Sequence, residues 1–330
     1  MGKFKYLLLI SLLVWQAGMT QKKNELQVLK ISEDDDYLNL RGEGTDRGYS
    51  GGLKIEFYYT KNVKPRFLGN LLMRITDKAD NLYGWGLTMN TYTPTDITKT
   101  EIQYGDRPYA GVTYVSHILI SSDPLKKQKL TTSISLGVIG EYSGNKAVQI
   151  WFHNLINYRK PQGWNNQIKN DIILNYFINY ERGLFSPTPN LEILGSIQAN
   201  AGTLANNMGL GIQFRAGLFN NYFTKYERPT FKDKTSGDGS TRRFQFYFYM
   251  KTTGTAVMDD ASLQGGFFSH NSSPYVIKKD SISRFYMQYE YGIVLANRRL
   301  GIAFSEKLRT PDFKGTYNQQ VGNVTFYIGL

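Results

Sequence analysis

The sequence predicts an all-β chain closed into a transmembrane barrel of about twelve antiparallel strands, with a short helix on an extracellular loop. Three observations predict it. Segments throughout the chain alternate apolar with polar or glycine residues, which is the period of a strand separating two environments. After the first twenty residues no run approaches the roughly 18 uninterrupted apolar residues of a spanning helix, and this leaves a barrel possible. Aromatics make up 14% of the 330 residues, with 24 Tyr and 19 Phe, and many collect toward strand ends where interfacial girdles sit. An apolar share of 41% argues against a disordered chain, and the absence of Cys excludes disulfides, thiolate metal sites and a cysteine nucleophile together.

Residues 1–20 read as an address. Lys3 and Lys5 precede the apolar run Tyr6–Trp15, and small residues follow at Ala17 and Gly18, as in a cleaved secretory signal. The barrel domain is then 21–330. Removing the leader takes two Lys and no acid, so the net charge falls from +12 to +10. Positive charge of this size suits an acidic partner. An exported chain meets phosphorylated lipid or anionic glycan, and no nucleic acid is expected as a partner.

Strands follow in order. The first lies near 25–32. Leu53, Ile55, Phe57 and Tyr59 then alternate with Lys54, Glu56 and Tyr58, and Trp85, Leu87, Met89 and Thr91 with Gly86, Thr88 and Asn90. Further strands fall at 109–121, at Leu130–Val138, and at 170–182, 191–203 and 207–219. Phe244–Lys251, Phe285–Val294, 299–308 and Asn323–Leu330 complete about a dozen, an even number as single-chain barrels require. Tyr58, Tyr59, Trp85, Tyr109, Tyr114, Tyr176 and Tyr180 are the expected girdle residues. A soluble β-sandwich or barrel shares this alternation, but polar or Gly residues between the apolar ones suit a polar lumen.

The connections at 61–66, 94–108, 140–168, 220–241 and 270–282 are rich in Gly, Pro, Asn, Asp, Ser and Lys. Within one of them, Asn145–Ile156 reads as an amphipathic helix with Ala147, Val148, Ile150, Trp151, Leu155 and Ile156 apolar. Gln149 and His153 are four apart and so share a side of it.

No soluble hydrolase or phosphate-loop motif is present. The three His are His117, in a strand pattern where packing or a lumen position suffices, His270, in a polar loop, and His153, on the helix. The run Glu33-Asp34-Asp35-Asp36 ends the first strand. It is a solvated turn or, outside the cell, a hard-cation site, because Ca²⁺ takes carboxylate and carbonyl oxygens. Thr45-Asp46-Arg47-Gly48-Tyr49-Ser50-Gly51-Gly52 opens the second strand at the same rim.

These blocks carry a resemblance. An acidic pair after the first strand, then Thr45-Asp46-x-x-Tyr49-Ser50-x-Gly52, Gly105-Asp106-Arg107-Pro108-Tyr109-Ala110-Gly111, Leu136-Gly137-Val138-Ile139-Gly140, Val148-Gln149-x-x-x-His153 and Gly163-Trp164-x-x-Gln167 run in that order. The chain resembles the outer-membrane lipid A 3′-O-deacylase family of twelve-stranded barrels. The resemblance implies a Ca²⁺-dependent esterase of the lipid A 3′ acyl chain, integral to the bacterial outer membrane and acting on lipopolysaccharide. By position, His153 matches the family's catalytic His and Gln149 the Gln one turn before it. Asp34 and Asp35 match an Asn-Asp pair and are the expected metal ligands, while Ser50 matches a Thr at the site rim. Asp for Asn and Ser for Thr keep oxygen donors at both places.

The residues themselves support a matching chemistry. A lone His suits deprotonation of water near neutral pH, and without a serine triad a bound cation can stabilise the oxyanion. Trp151 and Phe152 would face acyl chains, and Arg107, Lys126, Lys127, Arg159 and Lys160 would meet lipid phosphates. A closed barrel needs no partner, so a monomer is expected. Two other readings remain open: a transport or structural barrel with a degenerate site, and a secreted glycan-binding β-protein.

Overall fold

A computed structural model describes residues 24–40, 46–61, 67–76, 79–223, 242–269, 272–297 and 299–330. The expected leader at 1–20, Thr45 and His270 lie outside the described residues.

Apolar residues at every second position put one face of each strand outward, and pairing around a full circle leaves no open edge. The strands are β1 (Asn24–Asp35), β2 (Gly48–Lys61), β3 (Asp80–Thr93), β4 (Ala110–Asp123), β5 (Gln128–Ile139) and β6 (Asp171–Thr188). They continue as β7 (Leu191–Gly202), β8 (Ala205–Leu218), β9 (Phe244–Asp260), β10 (Phe285–Asn297), β11 (Leu300–Arg309) and β12 (Gln319–Gly329). Each is antiparallel to its neighbours in sequence, and β12 pairs with β1 to close the barrel, for example Ile31 with Phe326. Every expected strand is found, most with ends moved by a few residues, while β9 runs well past its expected end at Lys251 to Asp260 and β6 past 182 to Thr188. Among the described residues no helix is long and apolar enough to cross a membrane.

The outward face is the apolar one. Leu87, Val115, Leu136, Leu174, Leu210, Phe248, Ile293 and Phe326 are all exposed on it. The inward face is polar and charged. Glu56 lies between Lys30 at 3.3 Å and Lys54 at 2.8 Å, and a cavity of about 410 Å³ is lined in part by Ser32, Asp34, Lys54, Glu290 and Lys307. Tyr58 and Tyr114 depart from the expected girdle because period two turns them inward. Tyr58 packs with Val28 and Leu82 and donates to Glu56, and Tyr114 lines the cavity. Tyr109 packs on Trp164 beneath a loop, whereas Tyr59, Tyr83 and Trp85 stay on the outer face.

One rim carries the connections 94–109, 140–170 and 261–284, and we refer to it as the loop rim; 62–79 and 219–243 lie at the other. Arg107, Arg309 and Asp312 fill the lumen just below it. Arg107 Nη1 reaches Asp312 Oδ2 at 2.5 Å, Arg309 pairs with the other carboxylate oxygen, and Gln319 donates to Asp312 at 2.9 Å. The Arg107 guanidinium also lies 4.3 Å over the Tyr92 ring and donates to Ser262. A buried acid between two arginines with these bonds is compensated in place.

Candidate active site on the outer wall

The helix Asn145–Leu155 is amphipathic in the reverse of the usual sense. Its buried residues are Asn145, Gln149 and His153, spaced every four positions, while Val148, Trp151 and Leu155 are exposed. The polar side lies on the outer surface of β3 and β4, so the apolar side faces away from the barrel. Gly144, at φ +77°, admits the backbone turn into the helix. Gly111 lets the helix approach, because a Cβ there would stand 2.3 Å from Ser143 Oγ and 2.8 Å from Asn145 Cβ. Asn145 then fixes the helix to the wall. It accepts from Thr91 Oγ1 at 2.8 Å and donates to Thr113 Oγ1 at 3.1 Å and to the Val112 carbonyl.

His153 is 3% exposed, and both ring nitrogens face acceptors. Nδ1 donates to the Arg159 carbonyl, which the chain supplies as it turns back after the helix. Nε2 stands 3.4 Å from Asp46 Oδ2, and the Tyr158 ring meets the imidazole edge-on. Burial disfavours the charged ring, but the Asp46 contact, the Arg159 carbonyl and the more distant Asp35 outweigh it, so the His153 pKa is raised above its ordinary 6.5. A histidine so placed holds a proton well and takes one readily.

Asp46 is held in turn. Its backbone is left-handed at φ +46°, a conformation Asp tolerates better than most residues, and its carbonyl accepts from Thr93 Oγ1 at 2.5 Å. Its Oδ1 faces Gln149 Nε2 at 3.5 Å, and Gln149 Oε1 accepts from the buried Trp164 indole at 2.9 Å. The indole therefore decides which end of the Gln149 amide points at Asp46. A line of contacts runs from Trp164 through Gln149 and Asp46 to His153.

The expected site residues divide between the two faces of the wall. His153, Gln149, Asp35 and Ser50 are on the outer side. A register shift in the β2–β3 pairing between Tyr49 and Gly51 turns Ser50 outward, where its hydroxyl contacts Thr93 behind Asp46. Asp35 accepts from Tyr37 N at 2.7 Å, capping the 3₁₀ turn Asp36–Leu38, and contributes to the field at His153. Asp34 is not brought to this group. Adjacent strand residues point to opposite faces, and Asp34 lies in the lumen, bonded to Lys307 at 2.6 Å, Asn323 at 2.7 Å and Tyr49 at 3.1 Å. The two acids expected to share a metal are thus on opposite sides of the wall, with Asp34 already neutralised. Among the described residues no three His, Asp or Glu converge as a metal cluster. Of the pair, Asp35 alone offers a hard cation an oxygen on the outer face, beside the rim hydroxyls. Asp46 and Trp164 lie within the sequence motifs, but neither residue type nor spacing signals a role for them.

A family model described as outer membrane protein LpxR matches residues 6–330. The chain belongs to the LpxR family. LpxR from Salmonella typhimurium has the same fold, with a TM-score of 0.68 at 18% identity over 92% of this chain and 100% of that one. The β domain of the Bordetella autotransporter BrkA reaches a TM-score of 0.40 at 11% identity over 94% and 100%, and OprB of Pseudomonas putida 0.34 at 8% over 96% of each. Nothing rests on those two. Comparison with curated protein sequences gives no match. As a member of the LpxR family the barrel sits in the outer membrane, so its outward face meets lipid and its loop rim, which carries most of the connecting residues, is the extracellular one.

Proposed function

We propose that this barrel is a hydrolase that removes the ester-linked 3′ acyl chain of lipid A from the outer leaflet. One observation carries the reading most: the helix keeps a proton-accepting histidine against the outer wall and turns Val148, Trp151 and Leu155 toward lipid. An acyl ester lying among lipid chains can reach such a site from the side. A substrate in the lumen could not. Arg107 and Asp312, buried together below the loop rim, also disfavour a conducting barrel.

In the reaction, Nδ1–H stays on the Arg159 carbonyl and fixes the tautomer, leaving Nε2 to take the proton from water. Asp46 steadies the imidazolium that forms. The oxygen of that water bonds to the ester carbonyl carbon, the bond from that carbon to the sugar oxygen breaks, and the protonated ring gives its proton to the departing oxygen, leaving a fatty acid and a sugar hydroxyl. Trp151 and its neighbours hold the acyl chain. Ca²⁺ belongs to the proposal through Asp35: when bound, it supplies positive charge for the developing oxyanion. Export through a cleaved leader at residues 1–20 and action as a monomer complete the reading.

The test is mass spectrometry of lipid A from cells producing the wild-type chain or His153→Ala, each with and without a chelator. Loss of one ester-linked acyl chain in the wild type and none in His153→Ala is expected. Unchanged lipid A beside a folded wild-type barrel would refute the activity. Loss that persists with the chelator would remove Ca²⁺ and leave His153 in place.

A further inference from the structure

The connection between β2 and β3 holds a second segment laid on the outer wall, at the rim opposite the loops. Residues 67–76 begin with a helical turn, Phe67–Asn70, and then cross β6, β5 and β4 in an irregular path. A hydroxyl from each of the three strands holds the crossing backbone. Tyr176 OH accepts from Met73 N at 3.3 Å and donates to the Leu71 carbonyl at 3.2 Å. Thr132 Oγ1 donates to the Met73 carbonyl at 3.1 Å, and Ser121 Oγ accepts from Ile75 N at 3.1 Å. Leu72 is the inward anchor, 2% exposed against Tyr83 and Leu119. Leu71 and Met73, on either side of it, are 51% and 56% exposed.

Each gripping hydroxyl shares its strand face with lipid-facing residues: Ser121 with Val115, Thr132 with Leu136, and Tyr176 with Leu174. The segment therefore lies on the lipid side, and Leu71 and Met73 continue the apolar belt. Its level follows from β4. Thr113 contacts the helix start and Ser121 contacts this segment, eight residues further along the same strand. Eight residues span about 27 Å along a strand and about 20 Å along the axis at the usual tilt, close to the height of about 25 Å of an outer-membrane apolar band. Irregular backbone in contact with lipid must also have its polar groups satisfied by protein, and the three hydroxyls do this for the Leu71 carbonyl, both Met73 groups and Ile75 N.

We infer that residues 67–76 are an interfacial anchor seated in the inner-leaflet headgroup boundary, fixing the depth of the wall that carries His153 at the other interface. The occupant of the exposed Leu71 and Met73 side chains is membrane lipid, not a second protein. The inference rests on the barrel's place in the membrane and is independent of the proposed reaction.

A chain with no Cys makes the test direct. Nitroxide labels at Leu71→Cys and Met73→Cys, in protein reconstituted into phospholipid vesicles, are compared with Val115→Cys in the belt and Lys126→Cys in the exposed β4–β5 turn. The heat-shifted mobility of the folded barrel confirms that each variant has folded. Collision with the water-soluble nickel chelate is expected severalfold lower at 71 and 73 than at 126, with oxygen collision below that at 115. Nickel rates equal to those at 126 would overturn the anchor. A depth equal to that at 115 would overturn its place at the interface. Tyr176→Phe, which removes one grip, should raise the mobility of the label at 73, and unchanged mobility would contradict the role of the hydroxyls.

Discussion

Two acids mark the two sides of this barrel. Asp312, in the lumen, is bound by two arginines and a glutamine amide, and Arg309 and Arg107 hold its carboxyl below the usual range against the opposing effect of burial. Asp46, on the outer wall, has a histidine and a glutamine amide as side-chain partners. Arginine cannot release its proton in a protein and Asp312 is held ionised beside it, so the Asp312 cluster keeps one charge state near neutral pH and serves stability. Histidine can, so the Asp46 pair has two states and can do chemistry. A lumen of fixed ion pairs and an outer wall with a titratable one support placing the proposed reaction on the membrane side.

The largest effect that would sharpen this contrast is loss of the base. His153→Ala should lower deacylation by about 10²–10⁴-fold with the heat-shifted mobility of the folded barrel intact. Asp312→Asn should do the reverse, leaving the buried Arg107 and the half-buried Arg309 without their counter-charge and costing about 3–5 kcal/mol in urea unfolding, with activity per folded molecule unchanged. The same cluster sets acid sensitivity. A depressed carboxyl contributes stability above the ordinary carboxylate range and loses it as pH falls through its lowered pKa, so unfolding at low pH should be less steep in Asp312→Asn.

Adjacent residues give a finer contrast. Asp35→Asn should reduce activity and its response to Ca²⁺, whereas Asp34→Asn, which loses a partly exposed pair with Lys307, should cost under about 1 kcal/mol and leave activity intact. Equal losses in the two variants would break the assignment of the two acids to different faces. The smallest effect belongs to Trp164→Phe. It keeps an aromatic ring, smaller than the indole, and removes the hydrogen bond to Gln149, worth about 0.5–1.5 kcal/mol, so a severalfold loss in kcat with little change in KM is expected.

The barrel was legible because its signal repeats. Each strand is weak alone, but twelve alternating segments leave few other architectures, and the helix could be read from its own periodicity. The side it presents to the barrel could not, since periodicity shows that Gln149 and His153 share a face and not which environment covers it. Asp34 and Asp35 were read as a pair although period two separates them, because a motif suggests proximity where a strand imposes opposition. Tyr58 and Tyr114 miss the girdle for a related reason: residue type suggests an interface, and strand phase turns both inward. Asp46 reaches His153 only because the β1–β2 connection and the helix meet over β3, a long-range contact that no local pattern encodes. Trp164 acts through two intermediaries.

His153, with its pKa raised by Asp46, is the proposed base. That role is tested by the pH dependence of single-turnover deacylation in wild type and Asp46→Asn. Activity needs the neutral ring, so the rate should rise with pH through the His153 pKa. That rise should lie above 6.5 in the wild type and move to lower pH when the carboxylate is neutralised. The linked stability has the opposite dependence, full below 6.5 and lost as pH climbs through the raised value. A rising limb at the same pH in both proteins would contradict the account.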